Sequence, residues 1–145
     1  LMPKDFGRLF TVGRLDAESE GLLLLTNQGD LSQHLAHPSH RVEKEYRVWL
    51  DRAPDPAALR QMEKGVRIEE GMAKAERAVY LGRREARVIL RQGMKRQIRL
   101  MFRQLGFTVE RLKRIRIAQL ELGTLVPGAW KVLPEREIRK LGVTP

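Results

Sequence analysis

Residues 12–26, VGRLDAESEGLLLLT, join a basic side chain, a lone carboxylate, an acidic turn and a run of four leucines. The leucines at 22–25 are too few for a buried helix and are followed by Asn-Gln-Gly at 27–29, so they predict a strand covered on both faces. Asp16 comes just before this strand, and we expect its carboxylate at the edge of a sheet, where functional sites are often found. An aspartate in this place also fits an ordinary turn residue paired with Arg14.

The composition limits the class of protein. At 145 residues the chain is about one domain long. Its 28 Lys and Arg against 18 Asp and Glu leave a net charge of +10, which favours nucleic acid as the partner. The sequence contains no cysteine, which excludes disulfides, thiolate catalysis and cysteine-bound metals and fits a reducing cytoplasm. No apolar run is long enough to cross a bilayer, so we expect no membrane partner.

The rest of the chain alternates short strands with a few helices. The segment 43–50, EKEYRVWL, predicts a strand with Lys44 and Tyr46 on one face; Tyr46 fits either a core position or a site. Further strands are expected at 66–68, 73–81, 85–90, 109–117, 120–122 and 130–133, and helices at 30–37, 56–64, 92–106 and 134–141. This pattern indicates an α+β domain with a mixed, largely antiparallel sheet.

The predicted helix over 92–106 has an apolar face and a neighbouring basic stripe of Arg96, Arg99 and Arg103. Arginines stacked without alternating acids repel one another in water. The stripe therefore predicts an anionic partner, or a carboxylate that faces one of these arginines.

Three histidines, His34, His37 and His40, are spaced closely enough to suggest a metal site. Pro38 ends the helix between them, and neither cysteine nor an HExxH pattern accompanies them. We expect these side chains to face solvent or RNA, and we expect no metal.

Four motifs occur in a fixed order: GRLD at 13–16, SEGLLLLTNQGDL at 19–31, KEY at 44–46 and GMKRQIRLMFRQLG at 93–106. In this wording and order the chain resembles the RsuA-type pseudouridine synthases of ribosomal RNA, the branch that also holds the RluB, RluE and RluF enzymes. The match extends over nearly the whole chain. The resemblance implies a pseudouridine-synthase-like catalytic domain, in which helices flank the sheet around a central cleft.

The resemblance also implies roles for five residues. Asp16 in GRLD is expected to be the catalytic nucleophile, Tyr46 in KEY to line the uracil pocket, and Arg99 in RQIR to pair with Asp16. Arg14 and Ile98 are expected to complete the pocket. Tyr46, or a water that it holds, is the expected base for the proton at C5 of the uracil.

A further group of basic residues is expected to bind RNA phosphates collectively, partly because the basic face is expected to continue along the predicted strand 109–117. The group consists of Lys44, Lys95, Arg96, Arg103, Arg111, Lys113, Arg114 and Arg116. Several phosphate contacts of this kind make RNA affinity fall steeply with salt.

On this resemblance the expected activity is isomerisation of a specific uridine to pseudouridine in ribosomal RNA, and 23S RNA is favoured over 16S RNA. The reaction needs no redox change or energy input, so we expect no cofactor. The target base must leave its stack to reach Asp16, whose carboxylate can attack either the ring or the sugar. A ribosome-associated module that binds RNA without catalysis is the alternative function.

The family usually carries an S4 RNA-binding domain and a first strand before GRLD, and neither precedes Asp16 in this sequence. We therefore expect residues 1–145 to form a single catalytic domain. The expected partner is ribosomal RNA, either free or within a pre-ribosomal particle. The protein is expected to act as a monomer in the cytoplasm.

Overall fold

A computed structural model describes residues 4–36 and 41–142 of the chain, which form ten strands and four α-helices. The strands are β1 (Phe10–Thr11), β2 (Glu20–Gly21), β3 (Leu25–Thr26), β4 (Lys44–Leu50), β5 (Val66–Ile68), β6 (Gly71–Ala73), β7 (Arg77–Gly82), β8 (Glu85–Leu90), β9 (Val109–Ile117) and β10 (Leu120–Glu121). The helices are α1 (Gly29–Ala36), α2 (Pro56–Lys64), α3 (Gln97–Gln104) and α4 (Glu135–Ile138), with 3-10 turns at Lys4–Phe6 and Arg139–Leu141.

The main sheet has six strands, with β4 at its centre. Its order is β10-β9-β4-β8-β7, and β2 pairs with β9 outside this path. The pairing of β2 with β9 is parallel, whereas the other pairings in this sheet are antiparallel. The prediction of an α+β fold with a mixed, largely antiparallel sheet is confirmed.

One face of β4 packs into the larger of two hydrophobic clusters. Val48 and Leu50 are fully buried and Tyr46 packs against the same cluster, as the alternation of the sequence predicts. Met62 of α2 and Phe102 of α3 are also fully buried there. Helices α2 and α3 therefore cover one face of the sheet.

Helix α2 begins and ends as the sequence predicts. The carboxylate of Asp55 accepts a hydrogen bond of 2.9 Å from the amide of Ala58, and Pro56 takes the first helical position, where a missing amide proton costs nothing. Gly65 follows the last turn with φ of 132°, a conformation that favours glycine.

The prediction that residues 22–25 form a strand covered on both faces is wrong. Residues 22–24 connect the short strands β2 and β3, and Leu25 is the first residue of β3. Only alternate side chains of the run are buried. Leu22 and Leu24 are 8% and 7% exposed in the smaller cluster with Leu35 and Ile117, whereas Leu23 is 40% exposed. The run has one buried face because the described structure covers it from one side.

Three other predicted elements differ from the structure. The segment 73–81 is divided between β6 and β7, and residues 130–133 form no strand. The predicted helix over 92–106 begins only at Gln97, because Arg96 has a left-handed backbone with φ of 53°. Arg96 therefore does not share a helical stripe with Arg99 and Arg103.

Candidate active site

A cleft of about 280 Å³ lies between the main sheet and the segment that joins β1 to β2. Side chains of β4 and β9 line one side, and residues 12–16 and 92–98 line the others. Its volume is near the ~300 Å³ at which small-ligand pockets begin. The central cleft that the resemblance implies is therefore present.

The charges in the cleft are strongly unequal. Among the described residues, its lining includes one carboxylate, that of Asp16. Five basic residues line the same cleft: Arg14, Lys44, Lys95, Arg96 and Arg114. Such an excess of cations around one acid favours an anionic ligand.

Asp16 is half-buried in the cleft and takes part in no ion pair among the residues that the structure describes. The alternative in which it pairs with Arg14 is therefore not what the structure shows. Its backbone carbonyl accepts a hydrogen bond of 2.8 Å from the amide of Ser19, which closes a tight turn. The turn holds the Asp16 carboxylate in the cleft.

Two arginines bracket this turn. Nη1 of Arg114 donates to the carbonyl of Arg14 at 3.2 Å, two residues before Asp16. Nη2 of Arg99 donates to the carbonyl of Glu18 at 3.0 Å, two residues after it. The backbone on both sides of Asp16 is thereby attached to distant elements, β9 and α3.

The structure does not form the predicted ion pair between Asp16 and Arg99. Arg99 does not line the cleft, and its guanidinium also lies 3.5 Å from the carbonyl of Val109. The turn after Asp16 places the carbonyl of Glu18 against α3, and Arg99 bonds this carbonyl in place of the Asp16 carboxylate. Arg99 therefore contacts the backbone near Asp16, while the described structure places Arg114 in the cleft.

Arg114 is the most buried cation of the site, with 2% of its surface exposed. Its Nε donates to the carbonyl of Leu22 at 2.8 Å, and its Nη2 is buried without a hydrogen-bond partner. The sequence marks it only as one of several basic residues on β9. The alternation of that strand, with buried Leu112 two positions earlier, is the signal that distinguishes it.

Tyr46 lies on β4 opposite Arg114 of β9 and lines the cleft. Burial raises the pKa of the Tyr46 hydroxyl, the charge of Arg114 opposes this rise, and the charge of Asp16 adds to it. With its pKa above the ordinary 10.0, Tyr46 is a neutral phenol at physiological pH. It can donate or accept a hydrogen bond, but it does not hold a negative charge.

The predicted pocket residues Arg14 and Ile98 both line the cleft. Ile98 is 3% exposed at the start of α3, where it offers an apolar surface, and Arg14 is exposed. The structure thus brings Asp16, Tyr46, Arg14 and Ile98 together.

The predicted RNA-binding residues divide into two groups. Lys44, Lys95, Arg96 and Arg114 line the cleft, whereas Arg103, Arg111, Lys113 and Arg116 do not. The basic residues of β9 therefore do not form one continuous face. Alternation separates Arg111 and Lys113 from Arg114, and a register shift between Glu45 and Tyr46 of β4 separates Arg116 from Arg114.

Two of the residues outside the cleft are already in ion pairs. Arg111 pairs with Glu20 and lies over the ring of Trp49, 4.3 Å from its centroid. Arg116 pairs with Glu43 at 2.8 Å and Glu45 at 3.0 Å. Each of these arginines would have to exchange an acid for a phosphate in order to bind RNA.

The structure also bears on the metal and membrane predictions. His37 and His40 lie outside the described residues. Within residues 4–36 and 41–142 there is no group of three or more His, Asp or Glu side chains placed to hold a metal ion. No helix in the same ranges is long and apolar enough to cross a membrane.

Lys44 lines the cleft without an acidic partner, and this has an expected cost in stability. Burial lowers the pKa of Lys44, and the charge of Arg114 lowers it further. Between this lowered pKa and the ordinary value of 10.5, the unfolded chain binds more protons, so stability rises with pH in that window. Lys44→Met is expected to stabilise the fold by about 1 kcal/mol at neutral pH.

The advantage of Lys44→Met should shrink as the pH is raised towards 10.5, because the wild-type lysine then loses its charge. Urea unfolding at a series of pH values measures this, with exposed Lys74→Met as the control that removes a solvated charge. A Lys44→Met protein that is less stable than the wild type at every pH would contradict the burial argument.

The fold and the cleft define a class of protein: an α+β domain in which one carboxylate and a buried tyrosine lie among cations, suited to chemistry on a polyanion. Comparison with known sequences gives the family. Residues 4–104 match the RNA pseudouridylate synthase family, and the chain belongs to this family. The resemblance inferred from GRLD, KEY and RQIR is thereby confirmed.

Individual relatives agree. An uncharacterized RNA pseudouridine synthase of Aquifex aeolicus is 35% identical over 92% of this chain and 55% of its own length. Two proteins named ribosomal large subunit pseudouridine synthase B, from Vibrio cholerae and Bacillus subtilis, are 37% and 35% identical over 97% and 92% of the chain. They are covered over 46% and 57% of their lengths, so the chain spans about half of the relatives that it matches.

Solved structures give the same fold. A crystal structure of a pseudouridylate synthase superposes with a TM-score of 0.86 at 30% identity, over 93% of this chain and 60% of that one. A chain from a Cbf5-Nop10-Gar1 complex superposes with a TM-score of 0.50 at 16% identity, over 81% of this chain and 42% of that one. At that identity the second likeness shows the fold alone.

Proposed function

We propose that this chain catalyses the isomerisation of a uridine to pseudouridine in ribosomal RNA, with Asp16 as the nucleophile. One observation carries the proposal: among the described residues, Asp16 is the single carboxylate of the cleft, beside Tyr46 and five cations. A module that only binds RNA gains nothing from a carboxylate that faces an anionic ligand. The alternative of non-catalytic binding is therefore disfavoured.

The chemistry is an exchange of bonds within one nucleotide. The bond from C1′ of the ribose to N1 of uracil breaks, the base turns, and a bond from C1′ to C5 forms. C5 loses a proton and N1 gains one, so atoms and electrons balance without a cofactor. A carboxylate suits this sequence because it can attack the sugar or the ring and then leave.

Tyr46 and Ile98 supply the surface for the flipped base. Extruded bases are held by stacking on aromatic and apolar side chains, and both residues line the same cleft as Asp16. The raised pKa of Tyr46 keeps its hydroxyl neutral. We propose that this hydroxyl holds, through a hydrogen bond, a water that accepts the C5 proton.

Arg99 and Arg114 are proposed as positioning residues. Through the carbonyls of Glu18 and Arg14 they hold the turn that carries Asp16. Reactions of this kind lose large factors in rate when a reacting group is displaced by about 1 Å. Both arginines therefore contribute to catalysis through the placement of Asp16.

The RNA is proposed to enter along the cationic rim of the cleft. Lys95 is exposed there, and Arg96, which also pairs with Glu18 at 3.4 Å, is half-buried. Phosphate contacts by these two residues, with Arg103, Arg111, Lys113 and Arg116 as contacts outside the cleft, would produce the strong salt dependence typical of RNA binding.

The large-subunit RNA is the proposed substrate class, supported by the names of the Vibrio cholerae and Bacillus subtilis relatives. Small-subunit RNA is the second candidate. We further propose that residues 1–145 form one catalytic domain that acts as a monomer in the cytoplasm, on RNA that is either free or in a pre-ribosomal particle.

The test uses ribosomal RNA that carries tritium at C5 of uridine, since pseudouridine formation releases that label. We expect the native chain to release tritium from 23S RNA, and to release less from 16S RNA, with release falling as salt is raised. A longer relative serves as the positive control. If the relative releases tritium and this chain binds RNA without releasing any, the chain is a binding module.

A further inference from the structure

Two cations meet in the cleft without an acid between them. Lys44 begins β4, and Arg114 lies on β9 directly opposite Tyr46, two residues along from Lys44. Both line the cleft. Burial lowers the pKa of Lys44, and the charge of Arg114 lowers it further, as expected for two cations that line one cleft.

The acids next to Lys44 in the sequence do not neutralise it. Glu43 precedes β4 and Glu45 follows Lys44 on it, yet both acids pair with Arg116, at 2.8 Å and 3.0 Å. Alternation along the strand turns their carboxylates away from the face that carries Lys44. Within the described residues the ammonium group of Lys44 has no hydrogen bond or ion pair, and Nη2 of Arg114 is buried without a partner.

A glycine lies next to the ammonium group. Gly93 lines the cleft beside Lys44, and a Cβ atom on it would come to 3.5 Å from Nζ. Gly93 therefore places no side chain of its own against the Lys44 ammonium.

A buried and a half-buried cation without an acid destabilise the folded chain, and a ligand that brings negative charge relieves this cost. Two parts of an RNA could bring it: a backbone phosphate, or the base. The two cations line the same cleft as Tyr46 and Ile98, the residues proposed to hold the flipped base. A phosphate can instead be bound by exposed Lys95 at the rim.

The base acquires negative charge during the reaction. When the bond from C1′ to N1 breaks, its electron pair stays on uracil and is shared between N1, O2 and O4. The electron-poor C1′ bonds to the Asp16 carboxylate, or Asp16 takes a proton from C2′ and later returns it. The charge on uracil disappears when C5 forms the new bond to C1′, and loss of the C5 proton with gain of one proton at N1 then gives pseudouridine.

We propose that Lys44 and Arg114 together stabilise the uracil anion while the base is detached from the ribose. The inference rests on the proposed function and adds a catalytic role for Lys44. Fixed donors placed where charge develops contribute more to the transition state than to substrate binding. Lys44 therefore acts on the rate of the bound complex and little on RNA affinity.

The experiment compares uridine with 5-fluorouridine at the target position, because fluorine stabilises the detached anion by itself. Single-turnover loss of the parent nucleoside is measured at saturating RNA for the wild type, Lys44→Met and the rim control Lys95→Met. We expect Lys44→Met to slow uridine turnover about 100-fold with the RNA dissociation constant changed less than about threefold. The factor by which Lys44→Met slows the turnover of 5-fluorouridine, relative to the wild type, should be at least about tenfold smaller than the factor for uridine.

Lys95→Met should weaken RNA binding, and any deficit that it shows should be equal on the two substrates. An equal deficit of Lys44→Met on both substrates, or one that lies wholly in affinity, would overturn the inference in favour of phosphate binding. An unimpaired Lys44→Met would overturn it as well. A wild type that converts neither substrate would contradict the proposed function itself, which is a separate outcome.

Discussion

Asp16→Asn is expected to abolish tritium release from C5-labelled ribosomal RNA, with a loss of at least about 10⁴-fold. The amide has nearly the same size and can keep the turn that Ser19 closes, but it cannot attack the sugar or the ring as a nucleophile. RNA affinity should be nearly unchanged or slightly higher, because the variant removes the cleft's single described carboxylate. Filter binding and tritium release on the same preparations measure the two effects.

The matched control is Glu18→Gln, which makes the same change two residues later. Its carboxylate is exposed and does not line the cleft, and its link to Arg99 runs through the backbone carbonyl, which the substitution keeps. We expect the rate of tritium release by Glu18→Gln to remain within about tenfold of the wild type, because the exposed ion pair that it loses, between Glu18 and Arg96, contributes little energy. Equal release by Asp16→Asn and the wild type would remove Asp16 from the mechanism.

Gly21→Ala is expected to cost about 3–5 kcal/mol of stability and most of the activity. Gly21 lies on β2 against Arg114 of β9, and a Cβ atom there would be 2.2 Å from the Arg114 carbonyl oxygen. Its φ of 108° is also unfavourable for alanine. The clash between this Cβ atom and the Arg114 carbonyl can be removed only if β2 separates from β9. Such a separation moves the turn that carries Asp16.

The control for backbone strain alone is Gly71→Ala. Gly71 has a similar φ of 138°, but a Cβ atom there would have no neighbour within 4 Å. We expect it to cost about 1–3 kcal/mol and to leave tritium release by the folded protein intact. Urea unfolding and tritium release measure both variants. Equal losses for the two substitutions would show that close packing against β9 does not hold the cleft together.

Local patterns of the sequence predict much of the structure. Alternation over 43–50 and the cap at Asp55 place β4 and α2 correctly, because both depend on residues a few positions apart. The start of α3 could not be predicted in this way. Apolar spacing continues through 92–106, and only the left-handed backbone of Arg96 shows that the helix begins later.

The candidate site shows the same division. Asp16 and Tyr46 are recognisable from GRLD and KEY, and the structure places both in one cleft. The resemblance implies Arg99 of RQIR as the basic partner of Asp16. In the described structure Arg99 binds the Glu18 carbonyl, and Arg114 is the buried cation of the cleft.

The sequence by itself determined the family, the α+β class, the strand of Tyr46 and the position of Asp16, because these depend on motifs and on periodicity within short segments. Only the tertiary structure decided which cations reach the cleft. That choice depends on the register of β9 against β4, which sets Arg114 opposite Tyr46 and turns Arg116 towards Glu43 and Glu45. Register between strands more than sixty residues apart is set by packing of the whole sheet, and no local pattern encodes it.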